Sequence, residues 1–401
     1  MEHAPGYIDP RFPAHVCKLQ IALYGLKQAP RAWFQRFSSF LTHLGFHCSR
    51  ADPSLFVFNR HSDILYLLLY VDDIIITSNN SSLLDNFANK LHSEFATKDL
   101  GSLSYFLGLE ATPTADGLFL SQLKFVRDIL AWAQLLDSKP VHTPMVVSQH
   151  LSSDGQLFLD PTHYRSLVGA LQYLTIKCPD IAHAVNSVSQ FLHSLTADHL
   201  LVVKRILRYV KGTLHYGLSF RPSASSGSLV AFSDADWAGC PDTRRSTSGY
   251  SIYLSDNLVS WSAKKQPTVS RFSCESQYRA LALTAAELLW LTDLLCDLKV
   301  FIPEQPLLLC DNKSALFLSS NPIVHKRVKH VELDIHFLRE LVVAGKIRTQ
   351  YVLFYLQVAD IFTKSVSRPL FQFFRFKLYV CPNPTLNLQG SVEDTALRDT
   401  D

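Results

Sequence analysis

The 401-residue sequence predicts a multidomain protein of mixed α/β and α+β class. Three observations carry that reading. Apolar residues make up 47% of the chain and charged residues 18%, which suits packed cores and not a disordered polymer. The length accommodates two or three cores of ordinary size. The hydrophobic period also changes along the chain, becoming helical near residue 160 and strand-rich from residue 229.

Residues 1–145 mix short apolar β-type runs with helical segments and close in the Pro-containing stretch Lys139–Met145. Within 146–228, a period near 3.6 predicts helices over Tyr164–Ile176, Ile181–Leu195 and His199–Tyr209. The Ser-rich stretch Arg221–Ser228 ends that block. Residues 229–365 then predict strands at Leu229–Asp234, Tyr250–Leu254 and Leu258–Ser262, a helix from about Ser273 to Leu298, and a strand at Leu307–Cys310. A short helix and a basic helical region follow. Residues 366–401 read as a tail, whose end carries Glu393, Asp394, Asp399 and Asp401 against Arg398.

Several functional classes are excluded by composition. A net charge of +3, from 38 basic and 35 acidic residues, is too weak to announce a polyanion partner by itself. Any such site has to come from local clusters. The eight cysteines form no C-x-x-C pair and read as reduced thiols, not a zinc site. Met1–Pro10 has neither a basic leader nor an apolar core, so no secretory signal is expected. The apolar runs Ile64–Thr77 and Ala280–Val300 contain acids, which does not suit a membrane span. A soluble intracellular chain is expected, in cytoplasm or nucleus, with no membrane partner and no small-molecule cofactor.

Two groups of acids carry the chemistry. In Ile64–Thr77, two β-type runs meet at Asp72 and Asp73. Adjacent carboxylates there repel and desolvate badly unless a cation covers them, and hard divalent ions prefer carboxylate oxygens. A surface hairpin whose Asp pair only makes the turn is the alternative. Further on, Asp234 ends a strand, Glu275 opens the long helix behind a candidate cap at Ser273, Asp311 ends the next strand, and Asp360 begins a late helical piece. Acids at strand ends and helix starts of one open α/β sheet can converge, and four carboxylates can hold two divalent ions about 4 Å apart. Alternatively, all four are ordinary turn or first-turn acids.

Longer motifs decide between these readings. Tyr70-Val71-Asp72-Asp73 resembles the polymerase palm motif of reverse transcriptases. Cys17-Lys18-Leu19, Leu23-Tyr24-Gly25-Leu26-Lys27-Gln28-Ala29-Pro30-Arg31-Ala32-Trp33, Phe106–Glu110 and Asp116–Gln122 resemble the polymerases of copia-type LTR retrotransposons. Asp234–Gly239, Ser246–Tyr250, Val259–Trp261, Lys264–Arg271, Glu275 with Tyr278–Ala282, Asp311–Ala315, Lys329-His330 and Ala359–Lys364 resemble the RNase H domain of the same family. The resemblance covers about residues 1–380.

It implies a truncated reverse transcriptase over 1–145 (a palm and thumb remnant), a helical connection over 146–228, an RNase H-like mixed sheet with flanking helices over 229–365, and the tail. It assigns Asp72 and Asp73 to polymerase metal binding and places Gln28 near the incoming nucleotide. Asp234, Glu275, Asp311 and Asp360 become the metal ligands of a ribonuclease acting on RNA–DNA hybrids, with two Mg2+ or Mn2+ ions. The family's first palm Asp and fingers precede the segment that Met1–Tyr7 resembles, so polymerase activity is expected to be lost while the ribonuclease is retained. The rival is a non-catalytic relic that binds nucleic acid or stays unfolded.

Two departures from the family pattern bear on the ribonuclease. Leu353-Phe354-Tyr355-Leu356 replaces a polar loop, and is expected to stick to the core and displace Asp360. Phe272-Ser273-Cys274 stands where the family usually has Ser followed by Ser or Thr before Glu275. Basic residues supply the expected hybrid or template–primer contacts: Lys204, Arg208 and Lys211 on one helix face, Arg244 and Arg245 in one loop, and Lys326, Arg327 and Lys329 in another. A merely solvated helix face is the alternative for the first group.

Overall fold

The computed structural model describes residues 6, 10–12, 14–16, 26–71, 73–158, 160–223, 227–320 and 332–384. The chain forms two compact units, residues 1–99 and 100–401.

In the first unit, helix α1 (Ala29–His43) precedes strands β1 (His47–Cys48), β2 (Leu55–Arg60), β3 (Asp63–Tyr70) and β4 (Asp73–Ser78), and helix α2 (Ser81–Glu94) follows. The strands form one antiparallel sheet in chain order. Alternation in β3 buries Leu65, Leu67 and Leu69 against Phe37 and Leu41 of α1 and Phe87 and Leu91 of α2. Asn80 caps α2 by accepting from the Leu83 N–H.

The second unit contains two sheets. The first collects β5 (Tyr105–Phe106), β6 (Leu109–Thr114) and β7 (Gly117–Ser121). Helices α3 (Leu123–Trp132), α4 (Pro161–Leu174), α5 (Ala182–Ser189) and α6 (Ala197–Gly212) follow, then β8 (Tyr216–Phe220). The second sheet brings β9 (Leu229–Ala235), β10 (Thr247–Leu254), β11 (Asn257–Lys265), the long α7 (Ser273–Asp297) and β12 (Leu307–Cys310). Then come α8 (Lys313–Ser320), α9 (Glu332–Val343), β13 (Arg348–Tyr351), α10 (Asp360–Thr363), α11 (Arg368–Lys377) and β14 (Val380–Pro382).

Pairing in the first of these sheets crosses the boundaries read from the sequence. Its order is β14-β8-β7-β6-β5, so residues 105–121 belong with the second unit, not with the hairpin of the first. Residues 368–382, read as part of the tail, supply α11 and β14 and bury Phe371, Phe374, Leu378 and Val380. The physical reason is edge pairing: β8 has two edges, and segments far away in sequence satisfy them.

The second sheet has the order β11-β10-β9-β12-β13. Strands β9 to β11 are antiparallel, whereas β12 runs parallel to β9 and β13 parallel to β12. One face carries α7, where Tyr278, Leu281, Ala285 and Leu288 pack with Ala231, Ile252 and Leu308. On another side, Tyr253, Leu258, Ile361 and Phe362 share a core with the helices α4, α5 and α6. The helical block thus shares one apolar core with this side of the sheet, while the α7 side has a core of its own. No helix among the described residues is long and apolar enough to cross a membrane.

Candidate metal centre

The parallel register of β9 and β12 pairs Phe232 with Leu309. Two residues further on, Asp234 near the end of β9 and Asp311 just past β12 therefore reach the same level at neighbouring strand ends. Asp360 arrives from the start of α10, which packs on β9 and β10. One carboxylate oxygen from each of Asp234, Asp311 and Asp360 lies within 4.8 Å of the other two. Asp234 and Asp360 are buried and Asp311 is half-buried.

The close approach of α10 depends on a glycine. Gly249 of β10 pairs with Asp234. A Cβ at Gly249 would lie 2.6 Å from the Phe362 Cβ and 2.8 Å from the Thr363 Cγ2. With hydrogen there instead, α10 settles on the strand and delivers Asp360 beside Asp234.

Polar side chains fix the acids. Gln277 Nε2 donates to Asp234 Oδ1 at 2.7 Å and to the Ala235 carbonyl at 2.9 Å. The Thr363 hydroxyl donates to Asp234 Oδ2. Gln357 Nε2 donates to the Ser233 carbonyl at 3.0 Å and reaches Asp311 Oδ1 at 3.5 Å. Lys364 Nζ stands 2.8 Å from Asp360 Oδ1 and 3.6 Å from Asp234 Oδ2.

Glu275 stands outside the group of three. Its Oε2 accepts the Arg271 N–H at 2.6 Å, bending the side chain back over the start of its own helix. Its Oε1 is buried without a hydrogen-bond partner. Phe272, not Ser273, is the cap residue of α7, and no side chain caps it.

A cluster of hard carboxylate oxygens suits a divalent cation better than any softer ion. Asp234, Asp311 and Asp360 would hold it.

The apolar run before Gln357 does not enter the core. Phe354 is 70% exposed and forms a single 3-10 turn with Tyr355 and Leu356. The chain turns there because Gln357 is fully buried on Ser233 and Val358 and Ala359 follow it inside. Asp360 is accordingly in place, against the expectation from sequence.

Comparison with known proteins now places the chain. The family model described as reverse transcriptase (RNA-dependent DNA polymerase) matches residues 1–147. The retrovirus-related Pol polyprotein from transposon RE1 of Arabidopsis thaliana is 46% identical over 96% of this chain and 26% of its own length. A putative transposon Ty5-1 protein of Saccharomyces cerevisiae is 30% identical over 72% of this chain and 94% of its own length. The chain belongs to the copia-type retrotransposon Pol family. It spans about a quarter of the length of the RE1 polyprotein. Among solved structures, the foamy viral protease–reverse transcriptase in complex with RNA/DNA hybrid aligns with 83% of this chain and 39% of that one, at 11% identity and a TM-score of 0.48.

In this copia-type chain the other expected site residues have mixed fates. Asp73 is exposed at the start of β4, and Val71, which follows β3, is left-handed at φ 51°. Asp72, Lys326, Arg327 and Lys329 lie outside the described residues. Gln28 is exposed at the cap of α1 and makes no capping bond. On α6, Lys204 is exposed, but Arg208 Nε donates to the Lys139 carbonyl at 2.7 Å and Lys211 Nζ to the Ser138 carbonyl. Two of the three cations expected on phosphate thus hold the segment before α4 in place. Arg244 and Arg245 are exposed in the loop after β9, close in sequence to the acids.

Sequence reasoning missed Gln277, Gln357 and Asp236. The signal of the two glutamines was weak, a lone amide beside an apolar stripe or run, and Asp236 was masked by its neighbour Asp234. Asp236 accepts the Thr247 N–H and is pushed up to about 6, chiefly by burial, with the Asp234 charge adding. Burial and then Asp234 also push Asp360 up to about 8, against the pull of Lys364, and raise Asp311.

These raised carboxylates bind protons more tightly folded than unfolded. Their contribution to stability is full below the ordinary Asp value of about 3.9 and disappears as pH rises through the folded values. In chelator, the melting temperature is therefore expected to fall between pH 6.5 and pH 8.5, and Asp360→Asn to flatten that fall. Thermal melts across this window check it, and an unchanged slope in the variant refutes it.

Proposed function

We propose that this chain is a metal-dependent ribonuclease acting on the RNA strand of RNA–DNA hybrids. The observation that supports this best is the convergence of Asp234, Asp311 and Asp360 at one end of a mixed sheet. Mg2+ or Mn2+ are the cofactors this donor set fits, and such ions, when bound, lower the pKa of water and stabilise charge on phosphate oxygens. The protein's own part is positioning. Gln277 and Thr363 hold both oxygens of Asp234 in one orientation, and Gln357 steadies Asp311. Exposed Arg244, Arg245 and Lys204 offer contacts to backbone phosphates, which track a hybrid without reading bases. In the reaction, water adds at phosphorus and the bond to the 3′ oxygen breaks, leaving a 5′-phosphate and a 3′-hydroxyl.

The full chain, given a labelled hybrid and Mg2+, is expected to cut the RNA strand and to stop in chelator. Asp311→Asn is expected to lose about a thousandfold in rate, some 4 kcal/mol of barrier. Cleavage that survives Asp311→Asn would exclude this centre as its source. A folded chain that cuts nothing would favour the non-catalytic relic.

A further inference from the structure

We propose that Lys364 is the resident counter-ion of the carboxylate centre: it holds the acids together without metal and is displaced when a divalent cation binds. This rests on the metal-centre reading above. Among the described residues, Lys364 makes the only ion pairs to these acids, 2.8 Å to Asp360 and 3.6 Å to Asp234. It offers one positive charge to three carboxylates gathered within 4.8 Å, too little to neutralise them. Its ammonium lies against the carboxylate of Asp360, one of the three acids that would hold a cation.

The anchoring of Lys364 suits displacement. Its main chain is extended just after α10, and its N–H donates to the Asp360 carbonyl at 3.1 Å. The side chain is 46% exposed. It can swing into water while the helix that carries Asp360 stays where it is. An ion that binds the centre gives up this pairing, so Lys364 sets the free cation concentration at which the centre fills. The chain then keeps its acids in register at low Mg2+ without being committed to metal.

The test follows the melting temperature of the full chain against free Mg2+ at pH 8, for wild type, Lys364→Met, Lys364→Arg and Asp311→Asn. Lys364→Met is expected to melt lower than wild type in chelator and to reach half-maximal Mg2+ stabilisation at about tenfold lower concentration. Lys364→Arg, which keeps the charge, is expected to stay within about twofold of wild type. Asp311→Asn is expected to respond weakly or not at all. Should Lys364→Met not fold, Lys364→Gln replaces it. A wild-type response with an equal or higher Mg2+ requirement in Lys364→Met would overturn the counter-ion role alone. Absence of any Mg2+ response in wild type would remove the centre, and the proposal with it.

Discussion

Gly249→Ala is expected to cost about 1–3 kcal/mol of stability and at least about a hundredfold in hybrid cleavage. The added methyl falls 2.6 Å from the Phe362 Cβ and 2.8 Å from the Thr363 Cγ2. Neither atom is the free end of a long side chain, so α10 itself has to move. Asp360 and Thr363, the latter bonded to Asp234, move with it. Alanine in place of glycine inside a strand would otherwise gain roughly 0.5–1 kcal/mol, so a net loss isolates the packing contact. Denaturant midpoints at constant m-value, read beside cleavage rates, measure both effects. A variant as stable and as active as wild type would show that α10 does not depend on this contact.

Residues 229–384 expressed alone are expected to lose cooperative unfolding, whereas residues 100–384 retain it. Tyr253, Leu258, Val358, Ile361 and Phe362 share their core with α4, α5 and α6. The Trp261 indole donates to the Thr175 carbonyl of the helical block, and β14 pairs with β8, which lies before residue 229. Full burial of each large apolar side chain contributes about 1.5–3 kcal/mol. Losing half the cover of these five approaches ~5 kcal/mol, the lower end of a domain's whole net stability. Dye binding and loss of a sharp thermal transition would report the exposed core. A sharp transition for residues 229–384, equal to that of residues 100–384, would show that the β-rich block is self-sufficient.

These two expectations also mark where sequence and tertiary structure divide the work. Strand β12 forms over the residues its apolar run predicts, and α7 ends within one residue of the predicted limit. Local period determines such elements, because it records which face meets the core. The same motifs singled out Asp234, Asp311 and Asp360 before any geometry was available. Their meeting was legible as far as strand ends and a helix start can indicate it.

What the sequence does not encode locally is which edge pairs with which, or what fills the space between elements. The pairing of β14 with β8 joins segments over a hundred and fifty residues apart, and no periodicity specifies that partner. The outward turn at Phe354 is decided by Gln357 finding the Ser233 carbonyl, a bond across the fold. The roles of Gln277 and Lys364 are likewise set by what lies opposite them. Sequence alone indicated the family, elements such as β12 and α7, and the candidate acids. Tertiary structure alone decided that three of them converge, that Glu275 turns back on its own helix, and that a lysine stands among them, because charge and hydrogen bonding act through space and not along the chain.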